Sequence, residues 1–194
     1  MKRVFVFVGI MLIFTGLRSL PAQQVKKYQI KSGIITFETT LKMGNMDMKT
    51  NAVVYFDDFG MKECRDTYNY DGNTLKESFF SDGKDLYLVI YGEKAVYKRG
   101  PAFRGTEYKF DWNEVQPSGK AKKLPNMTVA GKNCEAFELN VNGNINTYAG
   151  WNNICLYIGT NQKNMNVVSR AVKFEENAKV PAEKFKIPTG FALK

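Results

Sequence analysis

The chain has three cysteines, Cys64, Cys134 and Cys155, and no histidine. These thiols, with the doublets Asp57-Asp58 and Glu175-Glu176, are the residues whose types could do covalent or acid–base chemistry. Without histidine there is no Ser-His-Asp or Cys-His arrangement and no histidine-based zinc centre. A cysteine nucleophile would need an electropositive niche to ionise it, and the sequence identifies none. Cys134 and Cys155 stand too far apart for a CxxC redox pair, and three cysteines cannot make a four-cysteine zinc site. Neighbouring residues on a strand point to opposite faces, so neither doublet forms the facing carboxylate pair that glycoside hydrolysis uses. Both doublets fall at strand ends beside turns, where solvated acids are ordinary. The expectation is a non-enzymatic protein with no cofactor and no metal.

The elements that position these residues read as strands. Residues 28–42, "YQIKSGIITFETTLK", are rich in β-branched and aromatic side chains, with Ile35, Phe37, Thr39 and Leu41 on one face. Residues 46–58 put Met46, Met48, Ala52, Val54 and Phe56 on one face against Asp47, Lys49 and Asn51, a half-buried antiparallel pattern. "FG" (59–60), "DGN" (71–73), "DGK" (82–84) and "YGEK" (91–94) then supply turns at the spacing of a meander. The strand "LYLVIY" is apolar on both faces, with Leu86, Leu88 and Ile90 on one and Tyr87, Val89 and Tyr91 on the other, so something must cover its second face. Residues 108–116 predict a short helix, because Tyr108 and Trp112, and Phe110 and Glu114, fall four apart; 117–126 read as a loop. Strands resume at 132–141, where Phe137, Leu139 and Val141 share a face, then at 145–159 and 165–177, before a Pro-punctuated tail. The pattern predicts one mainly β domain of about ten strands and one or two short helices.

A tight hairpin centred on Gly143-Asn144 would set Cys134 opposite Asn153 and Cys155 opposite Lys132. The two thiols are then diagonal neighbours that a bulge could join. A Cys134–Cys155 disulfide and free thiols both stay open, with Cys64 as a small buried residue.

Met1-Lys2-Arg3, the apolar run 4–14 and the polar stretch ending in "SLPAQQ" have the three-part layout of a signal peptide, with cleavage expected after Ala22. The apolar run is short for a membrane span, which makes an uncleaved anchor the lesser alternative. Residues 1–22 are thus assigned as leader and 23–194 as a single domain. The leader carries Lys2, Arg3 and Arg18 and no acid, so the formal charge of +9 becomes +6 in the mature chain. Its charges are scattered, "GKAKKL" (119–124) being the one dense basic cluster, and no nucleic-acid motif is present. Trp112, Trp151 and the tyrosines could stack on sugars, although aromatics more often fill cores.

"TVAGKNCEAFEL", "YAGWNNICLYI" and "NAKVPAEKFKIPTGF" are similar to the C-terminal half of a family of small exported bacterial domains of unknown function. Its pattern, Ala-Gly-x-x-Cys, a Trp-containing strand, then Pro-x-x-x-Phe-x-Ile-Pro-x-Gly, falls here on Ala130, Gly131, Cys134, Trp151, Pro181, Phe185, Ile187, Pro188 and Gly190. Such domains more distantly resemble the LolA/LolB and LppX group of lipoprotein and lipid carriers. That resemblance implies a strongly curved antiparallel sheet, an unclosed half-barrel with one or two short helices over its concave face and a cavity for acyl chains. The function expected is an exported, periplasmic or outer-membrane-associated binder of a lipid or lipoprotein acyl chain, not an integral membrane protein. Facing periodicity nominates Ile35, Phe37, Met46, Met48, Val54, Phe56, Leu86, Leu88, Phe137 and Leu139 as its lining. An interaction module for another envelope protein and a carbohydrate-binding domain are the alternatives.

Overall fold

The computed structural model describes residues 26–102, 121–141 and 143–194. The expected leader, the helix expected at 108–116 and Trp112 lie outside them. The described residues form twelve strands and three short 3-10 turns. β1 (Gly33–Met43), β2 (Met46–Asp57), β3 (Lys62–Tyr68), β4 (Leu75–Ser81), β5 (Asp85–Ile90) and β6 (Ala95–Pro101) make one antiparallel meander. Its Asp-Gly turns form as the sequence predicts. Gly72 and Gly83 take positive φ, and the carboxylates of Asp71 and Asp82 each accept two backbone N–H groups of their own turn.

β7 (Ala121–Val129), β8 (Lys132–Val141), β9 (Asn144–Trp151), β10 (Ile154–Gln162) and β11 (Met165–Glu176) make a second meander. β11 pairs with β1 and fuses the two into one sheet, to which β12 (Ala192–Leu193) adds in parallel beside β6. The sheet runs β12-β6-β5-β4-β3-β2-β1-β11-β10-β9-β8-β7 and does not close, so the fold is a half-barrel. It curls hard in its second half. Arg170 on β11 donates to the Thr128 carbonyl on β7 at 2.9 Å, although three strands lie between them in the sheet. Bulges at Thr36/Phe37 and at Cys155/Tyr157 bend the strands where this curl begins, and the extra residue Leu156 is fully buried.

Two expectations are corrected. Residues 121–129, read as mostly loop, are the edge strand β7; Lys122, Lys123 and Pro125 disguise it, and Pro125 sits in a bulge where no ladder N–H is needed. The single strand expected at 145–159 is two, β9 and β10, turned at Asn152-Asn153, which both take positive φ as a tight hairpin turn requires. That turn moves Cys155 onto β10, with β9 between it and Cys134, so the two backbones stand about 10 Å apart. A disulfide spans Cα separations of up to about 7 Å. All three cysteines are free. Among the described residues the helical elements are 3-10 turns, one of which, Ala182–Phe185, packs over a second core around Phe80 and Val96.

Candidate functional site

Antiparallel partners present their side chains to the same face, so the ladders trace the inner surface of the sheet directly. Its deep end is the row Val54–Ile35–Phe174 with Phe56 opposite Gly33. Ile35, Phe37, Val54 and Phe56 are all buried there. Tyr28 stands edge-on to Phe56 at 5.0 Å, and Phe174 lies 6.3 Å from Phe56 and 5.9 Å from Trp151. Gly33 is required, because a Cβ there would sit 2.6 Å from the Phe56 ring and 2.9 Å from Phe174. This end is filled by its own side chains.

Toward the β1–β2 and β10–β11 turns the same face opens. Ala52–Phe37–Ala171 is followed by Thr50–Thr39–Ser169, where Thr39 Oγ1 donates to Ser169 Oγ at 2.9 Å. Next comes Met48–Leu41–Val167, half-buried throughout, and finally Met46–Met43–Met165. Met43 is 45% exposed and Met46 47%. By register these rows run on across β10, β9 and β8 through Ile158, Tyr148 and Phe137, and through Thr160, Asn146 and Leu139, while the residues of those strands that pack with Ile35 and Phe37 are Leu156, Ala149, Ala136 and Cys134. Ile158 is 41% exposed, whereas Leu139 is buried. An open groove of about 620 Å³ lies beside this end, lined in part by Met43, Gln162, Lys163 and Met165.

The ten residues nominated from periodicity thus fall on one face, but not in one site. Ile35, Phe37, Val54 and Phe56 are core; Met46, Met48, Phe137 and Leu139 surround the open end. Leu86 and Leu88 stand apart, because β3 puts Glu63 and Arg65 into the rows Phe56–Glu63–Ser81–Leu86 and Val54–Arg65–Phe79–Leu88. Glu63 there accepts from Lys27 Nζ at 2.7 Å and Tyr28 Oη at 2.5 Å. Leu41, Met43, Ile158, Met165 and Val167 were not nominated; the period-2 pattern of β1 reaches Leu41 and Met43, but only the registers of β11 and β10 bring in Met165, Val167 and Ile158.

The outer face carries a buried polar cluster. Asp66, 1% exposed, accepts from Ser78 Oγ at 2.5 Å, Lys184 Nζ at 2.5 Å and Cys64 Sγ at 3.3 Å. Around it Cys64, Phe80, Val89 and Val96 pack under Phe185, with Val180 and Phe191 beside it. This tail is what covers the second apolar face of β5. Burial, with the Asp66 charge adding to it, drives the Cys64 thiol well above its ordinary range. Burial also raises Cys134, and raises Cys155 to about 11, so none of the three is a thiolate at neutral pH. The acidic doublets serve local structure: Asp57 Oδ1 accepts from the Asp58 N–H, Glu175 pairs with Lys173 and Glu176 with Lys132. Lys132 also lies over the Trp151 ring at 4.6 Å, so this indole is engaged internally. Among the described residues no group of three His, Cys, Asp or Glu could hold a metal ion, and no helix is long and apolar enough to cross a membrane.

No family model matches the chain, and no curated protein matches it. Solved structures do. An uncharacterised conserved protein from Thermus thermophilus aligns over 88% of this chain and 94% of its own at TM-score 0.58 and 9% identity. MucB in its complex with MucA from Pseudomonas aeruginosa aligns over 82% of this chain at TM-score 0.51 and 11% identity, the match spanning 56% of that longer chain. A LolA superfamily protein from Nitrosomonas europaea aligns over 84% of this chain and 93% of its own, at TM-score 0.44 and 7% identity. What the chain has in common with the first two is its fold, an unclosed half-barrel.

Proposed function

We propose that the protein is an exported, non-enzymatic envelope component that binds an apolar ligand, a lipid or lipoprotein acyl chain, at the open end of its inner face. The observation that carries this is the unfinished core. Leu41, Met43, Met46, Met48, Ile158 and Val167 extend the buried apolar face outward, yet the described residues leave them partly or largely exposed. A protein that needed only a core would stop its apolar rows where burial stops. The carrier-like fold and the raised thiols are in keeping with binding rather than catalysis.

Mass spectrometry of organic extracts from the full-length protein, purified from its native envelope, tests this together with uptake of a fluorescent fatty acid. Co-purifying lipid and saturable uptake are expected. Consistent absence of both would overturn the proposal. A second reading, docking of an envelope protein, is favoured by the likeness to MucB, which is seen with a protein partner; it predicts a protein in a pull-down and no lipid in the extract.

A further inference from the structure

We infer that the β1–β2 tip is a thioether site for a soft monovalent cation, Cu(I) or Ag(I), with Met43, Met46 and Met165 as ligands and Met48 behind them. Outside residues 1–22 the chain has six methionines, Met43, Met46, Met48, Met61, Met127 and Met165. Four of them converge here. Met43 stands directly opposite Met46 on β2 and opposite Met165 on β11, so three thioether side chains project from adjacent strands on one face. Directly paired residues have Cβ atoms about 5 Å apart, and three rotatable bonds let each sulfur turn toward the middle strand.

The choice of residue changes where exposure begins. In the buried rows the same face uses Ile35, Phe37, Val54 and Phe56, the β-branched and aromatic types that strands favour. At the exposed tip it uses thioethers, which are poorer strand formers but carry a soft donor atom. A wall built only to be apolar would have no need of sulfur on three neighbouring strands. The charged residues of the hairpin are turned away: Lys42 and Asp47 face each other on its opposite side and pair at 3.7 Å, while the neutral amide of Gln162 stands opposite Met165 at the end of the row. Neutral sulfur donors without a carboxylate in the row favour a soft, singly charged ion over Mg²⁺, Ca²⁺ or Zn²⁺. The expectation of no metal rested on histidine and cysteine, and thioethers escape that argument.

Titrating the full chain, carrying ¹³C-methyl methionine, with Ag(I) tests the site. The methyl signals of Met43, Met46 and Met165 should shift together, while those of Met61 and Met127 stay in place. The combined variant Met43→Leu, Met46→Leu, Met165→Leu should lose this binding, while Met61→Leu with Met127→Leu should keep it. The titration uses no lipid, so its outcome is independent of the lipid proposal. Unmoved methionine signals in the parent chain, or Ag(I) bound equally by parent and triple variant, would overturn the inference.

Discussion

Cys134 and Cys155 show how little a residue's type says before its strand is known. In an oxidising compartment two thiols in one region invite a bridge, and a single long strand through 145–159 would have made them diagonal neighbours. Asn152 and Asn153, with φ of 49° and 64°, break that strand in two and place β9 between the sulfurs. Each thiol instead finds a backbone carbonyl, Cys134 that of Lys132 and Cys155 that of Tyr157. Their raised pKa values make them slow nucleophiles. Titration with a thiol reagent should therefore find three free thiols per unfolded chain, and little reaction in the folded one. A count of one, with two thiols recovered only after reduction, would mean that the bridge forms and the β9–β10 register gives way to it.

Among the elements, the C-terminal tail does most to complete the fold. It crosses the outer face, buries Phe185 in the second core, adds β12 to β6 and sets Lys184 against Asp66. Burial works against the Lys184 charge, but Asp66 outweighs it and holds the ammonium above its ordinary value of 10.5. A raised folded-state value means this contribution is fully present below the ordinary value and is lost as pH climbs through the raised one, so the tail stays latched across the neutral range. Lys184→Met should cost about 3 kcal/mol in urea unfolding, because it strands a buried carboxylate. Adding Asp66→Asn should recover most of that loss; no recovery would show that the ion pair is not what holds the tail. This latch was hidden in the sequence, since its partners lie 118 residues apart. The hairpins β1 to β6 were legible because glycine marks each of their turns, twice as Asp-Gly. β3 was legible as a strand but not in its facing: Glu63 and Arg65 alternate with Cys64 and Asp66, polar residues on both sides, so period 2 could not say that Asp66 is buried. β7 was hidden by the lysines and proline that suit an edge.

Across the whole molecule, the inner face divides along the strands rather than between them. One end holds Phe56, Ile35, Tyr28 and Phe174 packed without room for even a Cβ at Gly33; the other ends in half-exposed Leu41, Met48 and Val167 and largely exposed Met43, Met46 and Ile158. A core that filled the entire half-barrel would couple stability to every apolar residue on the face. A core that fills half of it lets stability and binding separate. Phe56→Ala should destabilise the fold by about 3–5 kcal/mol, the ordinary cost of emptying a packed aromatic site. Ile158→Lys, away from the methionine row, should shift stability by no more than about 0.5 kcal/mol and yet abolish fatty-acid uptake, because it puts a charge where an acyl chain would lie. Urea unfolding and fluorescent uptake on the same two variants check the pair. Uptake unchanged by Ile158→Lys, with Phe56→Ala impairing both properties equally, would place the ligand outside this open end or leave the inner face with no ligand at all.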